Sequence, residues 1–246
     1  MVSSDRWKTA QRYEQDYWDR VATEVEAQGQ DRLGGYRWRR DQLVRMLAEA
    51  GAPEVSDGSA RVLEVGSGPV GVIGFFPGVH KVAVDPLEHF YSGRPLLVAS
   101  RSPDVSYRTG SGEALPVKDG CYDLAIIENC IDHCQDMDAV MLGIRRALKP
   151  GGYLYLTVNV RSRPGYYMHR ALSRLQIDPG HPHTFTQSRV RPFLRAAGFD
   201  VLHLEHGSFS RAWLDDLRGP SLKMRAKALL GVSEYLVSVI ARVKEQ

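Results

Sequence analysis

The sequence predicts an α/β protein built on a seven-stranded, mostly parallel sheet with helices on both faces and a helical cap at its N-terminus. Three observations carry this. Short β-branched runs alternate with stretches of helical period from residue 61 onward. A glycine-rich turn directly follows the first of those runs. The fifty residues before it show helical spacing and no strand pattern.

At 246 residues, with 43% hydrophobic and 25% charged side chains, the chain can bury a full core as one structural unit. Its expected division is a cap over 1–55 and a main domain over 56–246. In the cap, Trp7, Ala10, Tyr17, Trp18 and Val21 recur at helical spacing over 5–23, and 41–50 forms a second helix ending at Gly51-Ala52-Pro53. Strands are expected at 61–65, 81–85, 104–108, 122–128 and 153–160, each bounded by Gly, Pro, Asp or Asn. Between the last two, residues 136–148 put Val140, Met141, Ile144 and Leu148 on one helical stripe, stopped by Lys149-Pro150-Gly151-Gly152. A helix over 187–197, with Thr186 as its N-cap, then leads to a sixth strand at 199–204 and a helix over 222–230. The β-branched stretch from Tyr235 gives the seventh strand; a basic amphipathic membrane helix is the competing reading there.

The charge of +3 requires no polyanionic partner, and the Arg37, Arg39, Arg40, Arg45 cluster alone makes nucleic acid an unlikely one. The N-terminus lacks the apolar core of a signal peptide, and no run reaches about 18 apolar residues, so a cytoplasmic location is expected. Three cysteines, Cys121, Cys130 and Cys134, make a disulfide framework improbable. Cys130, His133 and Cys134 invite a zinc reading, but the remaining ligand pair at finger spacing is missing, and the metal requirement stays open.

Chemistry concentrates where strands end. Val62-Leu-Glu-Val-Gly66-Ser67-Gly68-Pro-Val-Gly71 is a strand entering a turn whose glycines let a ligand approach the backbone. Taken alone, that spacing suits a dinucleotide as well. Glu64, two residues before the turn, would repel phosphates and can face a cationic group instead. The stretch after the turn, hemmed in by Gly71, Gly74 and Pro77-Gly78, is poorly suited to a long helix that would hold a pyrophosphate. Asp85, 21 positions after Glu64, ends the second strand where an acid can accept hydrogen bonds from ribose hydroxyls; a strand-end turn beside Pro86 is its plainer explanation.

Four stretches in order, VLEVGSGPVG, VAVDPL, GSGEALPVKDGCYDLAIIENCIDH and ALKPGGYLYLTVN, resemble the successive motifs of the class I S-adenosylmethionine-dependent methyltransferases, and within them the small-molecule group. The likeness covers residues 61–160 well and the flanks poorly. It implies a Rossmann-like fold and S-adenosylmethionine as cofactor. By position, Glu64, Gly66, Ser67 and Gly68 would line that cofactor, Asp85 would bind its ribose and Leu87 would pack on adenine. Ser111, Gly112 and Glu113 would form the adenine-side loop, and Asn129 would close the site. Ser111 stands where the family often has an acid, and it can still accept a hydrogen bond.

At the reacting end, strand four finishes in Glu128-Asn129-Cys130-Ile131-Asp132-His133. Histidine is the side chain that exchanges a proton near neutrality, so His133 is the expected general base, a helix-capping role being the alternative. Adjacent residues diverge, so Asp132 is expected at the substrate rather than in a dyad with His133. His181 or His183, with Tyr166, Tyr167 and Arg170, would shape the acceptor pocket. The fourth strand lacks the Asn/Asp-Pro-Pro-Tyr/Phe ending of enzymes that methylate exocyclic base nitrogens. The resemblance implies a small-molecule acceptor; the protonatable base where strand four ends favours a hydroxyl on a sugar or other natural product, and the Trp7-Lys-Thr-Ala-Gln-Arg-Tyr-Glu14 opening, which resembles methyltransferases of glycan assembly, puts a sugar hydroxyl first. N- or C-methylation of a natural product and a noncatalytic cofactor-binding protein are the alternatives.

Overall fold

A computed structural model of the chain describes residues 2–28, 35–174 and 180–244. Two N-terminal helices, α1 (Ser4–Gln28) and α2 (Tyr36–Glu49), precede β1 (Arg61–Val65) and β2 (Val79–Asp85). Short helices α3 (Glu88–Ser92) and α4 (Pro95–Val98) lead to β3 (Val105–Thr109) and β4 (Tyr122–Glu128). Then come α5 (Met137–Ala147), β5 (Leu148–Arg161), α6 (Arg163–Arg174), β6 (Phe185–Thr186), α7 (Gln187–Ala196) and β7 (Phe199–His206). The chain closes with α8 (Phe209–Arg218), α9 (Leu222–Leu229) and β8 (Glu234–Val243).

Seven strands form one path in the order β3-β2-β1-β4-β5-β8-β7. An eighth strand, the two-residue β6, pairs parallel with the end of β5. The sheet is parallel except for β8, which runs antiparallel to both β5 and β7. The stretch from Tyr235 is therefore a central strand and not a membrane-surface helix. Among the described residues no helix is long and apolar enough to cross a membrane.

The layers follow from the two-residue period of the strands. Leu63, Val65, Val82, Val84, Ala125 and Ile127 join one apolar cluster with Val140, Met141 and Ile144 of α5 and Val190 and Leu194 of α7. Their neighbours Val62, Ala83, Leu124 and Ile126 face the other way, onto Leu43, Met46 and Leu47 of α2, Val21 and Val25 of α1, and Ile73 and Phe76. Strands buried on both faces read as continuous apolar runs, as parallel strands under helices do.

Several boundaries move from their sequence-based positions. The fifth strand begins at Leu148, because Tyr122 pairs with Leu148 while Leu124 pairs with Tyr153, and the Pro-Gly-Gly segment is absorbed as an irregularity of the pairing. Asp136 caps α5, accepting from the N–H groups of Asp138 and Ala139. Thr186 sits at the N-cap of α7 without capping it, its hydroxyl lying 3.2 Å from that of Ser188. Helices α3, α4, α6 and α8 and the short strand β6 have no individual counterpart in the sequence reading.

The topology makes one edge of the sheet the functional edge. β1 lies between β2 and β4, so the strand order reverses there, and a crevice opens at the carboxyl ends where crossovers diverge.

Candidate active site

At that crevice the structure has a cavity of about 410 Å³, within the range of small-molecule sites. The turn after β1 forms one wall with Glu64, Gly66, Ser67 and Gly68; Asp85 and Leu87 follow β2; Ser111, Gly112 and Glu113 follow β3; Asn129 and His133 follow β4. His181 completes the set. The cofactor-site residues expected from sequence thus converge on one cavity. Five of the expected acceptor residues do not line it: Tyr167 is 69% exposed, Tyr166, Arg170 and His183 line a second cavity, and Asp132 is buried.

Two acids expected to face a ligand also organise the turn. Asp85 accepts from the N–H of Gly68 through Oδ2 at 2.9 Å and from that of Leu87 through Oδ1 at 2.8 Å. Burial pushes its carboxyl up to about 6 against the pull of those two amides. Glu64 accepts from the N–H groups of Val72, at 3.1 Å, and Ile73, at 2.9 Å. Those donors open a single 3₁₀ turn over Val72–Gly74, where the sequence argued against a long helix. Gly71, at φ +78°, has no Cβ because one there would overlap the Glu64 carboxylate. The carboxyl foreseen as facing a cation therefore anchors the turn from within.

Burial raises Glu64 to about 8, with Glu128 adding to the effect and the two amides opposing it. A carboxyl whose folded value exceeds its unfolded one binds protons more tightly when folded. Stability from this group is complete below about 4.5 and is lost as pH rises toward 8. Asp85 adds the same sign between 3.8 and about 6. Between pH 6 and 8 the cofactor-free protein should lose stability at up to about 1.4 kcal/mol per pH unit. Glu64→Gln should flatten that slope; urea titrations at pH 6 and 8 that give both proteins the same slope would contradict it.

Loop dihedrals set the β4 side. Asn129 lies at φ +51°, a left-handed conformation that asparagine tolerates, and its N–H donates to Thr157 O at 3.0 Å. A 3₁₀ turn, Ile131–His133, follows. It brings His133 Nε2 to 3.9 Å from Asp132 Oδ1, so the neighbours expected to diverge lie close together. His133 Nδ1 is 3.4 Å from Glu14 Oε1, and its ring centroid is 4.6 Å from that of His181. His183 is held elsewhere: its Nε2 lies 2.9 Å from Cys134 O, a carbonyl that can only accept, and burial lowers its proton affinity. The cysteines also bond to the backbone, Cys130 Sγ donating to Val65 O and Cys134 Sγ to Cys130 O.

The sequence reading missed the lid. Trp7, Gln11, Glu14 and Trp18, one face of α1, line the cavity with Tyr36 and Arg39 of α2. The signal was present: Gln11 and Glu14 put two polar groups into an otherwise aromatic stripe. Arg39 donates to Glu128 Oε2 at 2.7 Å, joining α2 to the end of β4. In the rest of the basic cluster, Arg40 pairs with Asp41 and Arg45 with Glu49 and Glu205, while Arg37 lies over Phe75.

Residues 63–156 match the family described as a methyltransferase domain. Among curated proteins the chain is 26% identical over 155 residues to the sterol 24-C-methyltransferase ERG6B of Gibberella zeae, covering 59% of this chain and 40% of that one. It is 30% identical over 132 residues to the ubiquinone/menaquinone biosynthesis C-methyltransferase UbiE of Acidiphilium cryptum, covering 50% and 49%. The chain thus spans less than half the length of either relative. Among solved structures it resembles an S-adenosylmethionine dependent methyltransferase from Mesorhizobium loti, with a TM-score of 0.56, 20% identity, and coverage of 85% of this chain and 98% of the other. At that identity the likeness shows the shared fold.

Proposed function

We propose that this chain, which belongs to the class I S-adenosylmethionine-dependent methyltransferases, moves a methyl group from that cofactor to a small-molecule acceptor that loses a proton in the reaction. The observation that supports this is one crevice lined by Glu64, Ser67, Asp85 and Leu87 on its β1 and β2 side and by the His133 and His181 imidazoles on its β4 side.

The residues fit the cofactor. Glu14, Asp85, Glu113 and Glu128 line the cavity with Arg39 as the one lysine or arginine among its described lining residues, an acidic excess that suits a positively charged ligand. Gln11 Oε1 and His133 Nδ1 are buried there without hydrogen-bond partners, and such atoms gain when a ligand supplies one. Asp85 would hold the ribose, Leu87 the adenine face, and the Gly66–Gly68 backbone the amino-acid end. When bound, S-adenosylmethionine supplies an electrophilic methyl on a cationic sulfur. The chain's own task is to align the acceptor and take its proton, a task for the His133 imidazole.

A hydroxyl acceptor, on a sugar or related natural product, suits this arrangement, since it must be deprotonated as it is methylated. The likeness to a sterol 24-C-methyltransferase and to a C-methyltransferase of ubiquinone/menaquinone biosynthesis favours a second reading, transfer to carbon, in which the proton leaves an activated carbon of the acceptor.

S-adenosylhomocysteine should raise the melting temperature while NAD does not. At a hundredfold excess over Kd, native-state binding adds about 2.7 kcal/mol, which for a chain of this size is roughly 5–10 °C. No shift at millimolar ligand would remove the cofactor assignment. A panel of hydroxyl, phenol and amine acceptors, read by mass spectrometry for one added methyl, then identifies the acceptor class. Binding without transfer to any of them would favour a noncatalytic protein.

A further inference from the structure

The β4 end of the cavity holds more than a base requires. Asp132, His133 and His181 each offer one ligand atom, and those atoms all lie within 4.8 Å of one another. Asp132 is 3% exposed, and its Oδ1 has no hydrogen-bond partner. A buried carboxylate oxygen left unpaired is unfavourable unless something cationic meets it. His133 turns Nε2 toward that oxygen and Nδ1 toward Glu14, 3.4 Å away without a hydrogen bond. That is the arrangement in which a metal-bound imidazole is oriented by a carboxylate on its other nitrogen.

We propose that Asp132, His133 and His181 bind a divalent transition-metal cation, with Glu14 orienting His133. Bonds of about 2.0–2.2 Å to nitrogen and oxygen require ligand atoms roughly 3.0–3.5 Å apart, so the three must draw together by about an ångström. Two imidazoles and one carboxylate suit Zn²⁺, Mn²⁺, Fe²⁺ or Co²⁺ better than Mg²⁺, which prefers oxygen. Three protein ligands leave positions open on the side of His133 and His181 that lines the cavity. The inference rests on the proposed methyl transfer and deepens it, assigning as acceptor a hydroxyl that binds the cation. There its O–H bond weakens and the proton leaves to solvent; the freed oxygen pair forms the new O–CH₃ bond while the C–S electrons stay on sulfur. His133 then acts through the cation rather than as a bare base.

The test is titration of Co²⁺ and Zn²⁺ into chelator-treated, cofactor-free protein, followed by Co²⁺ visible absorption and calorimetry. One equivalent should bind at micromolar Kd or tighter. Asp132→Asn and His181→Ala should each weaken binding at least about tenfold, and Glu14→Gln roughly tenfold. His203→Ala, which disrupts the separate Glu49, His203, Glu205 group, should leave it unchanged. Binding that survives both Asp132→Asn and His181→Ala, or no binding below about 100 μM, overturns the proposal. The S-adenosylhomocysteine shift measured on the same samples reports folding and cofactor binding independently. A chelated enzyme that keeps that shift and methylates its acceptor at the full rate refutes the cation and leaves the methyltransferase reading standing.

Discussion

A His133→Ala variant should turn over its acceptor about 10²- to 10⁴-fold more slowly while binding S-adenosylhomocysteine as tightly as the wild type. The separation follows from the sheet. Asp85 and the glycine turn end β2 and β1, whereas His133 follows β4, on the other side of the strand-order reversal. The ring makes no hydrogen bond that supports the turn after β1; its neighbours are Glu14, Asp132 and His181. Its side chain is 17% exposed, so truncation leaves a small gap at the cavity wall rather than a void in the core. The measurements are kcat at saturating cofactor, S-adenosylhomocysteine affinity by calorimetry, and melting temperature. Parallel losses in all three would make His133 a structural residue. Near-normal turnover would return the search for the proton acceptor to His181.

The strand pattern and the residues that converge on the crevice were legible because both rest on local chemistry. A short β-branched run in β1, a turn that needs glycine, and an acid at the end of β2 are each written within a few residues. The lid over the cavity was not legible, because it depends on contacts between α1 and residues more than forty positions downstream. Trp7 and Trp18 carry the same helical period whether they cover a core or a ligand. Direction was lost as well as distance. The sequence puts carboxyls at Glu64 and Asp85 but does not say that their oxygens accept from Val72, Ile73, Gly68 and Leu87 before meeting any ligand. The same holds for His181 and His183, two residues apart, of which one lines the cavity and the other is held by Cys134 O. Helix α6 was missed because Pro164 and Gly165 near its start read as loop; they occupy its first turn, where Gly165 N–H donates to Ser162 Oγ.

Replacing Gly66 with valine should lower stability and abolish detectable S-adenosylhomocysteine binding together. Gly66 has φ +72°, a conformation that disfavours a β-branched residue by roughly 1–2 kcal/mol. A Cβ there would overlap Cys130 Sγ and stand 2.7 Å from Cys130 Cβ. The cysteine has little room to yield, since its thiol donates to Val65 O at 3.2 Å and Ile131 behind it is fully buried. Overpacking of this kind adds about 1–3 kcal/mol, for a total destabilisation of roughly 2–5 kcal/mol. The Gly66 N–H also donates to Val84 O at 2.8 Å, so a shift of the turn pulls on the end of β2 and on Asp85, the residue next to that acceptor. Gly68→Ala is the informative comparison: at φ +59° it carries a similar left-handed cost of roughly 1–2 kcal/mol, but the nearest atom to an added Cβ is Trp18 Cζ2, at an ordinary 3.5 Å, so no overpacking is added. It should weaken S-adenosylhomocysteine with a much smaller drop in melting temperature, the methyl occupying ligand space rather than protein space. A Gly66→Val protein that melts like the wild type and still shows the ligand shift would mean that the turn after β1 does not hold the cofactor.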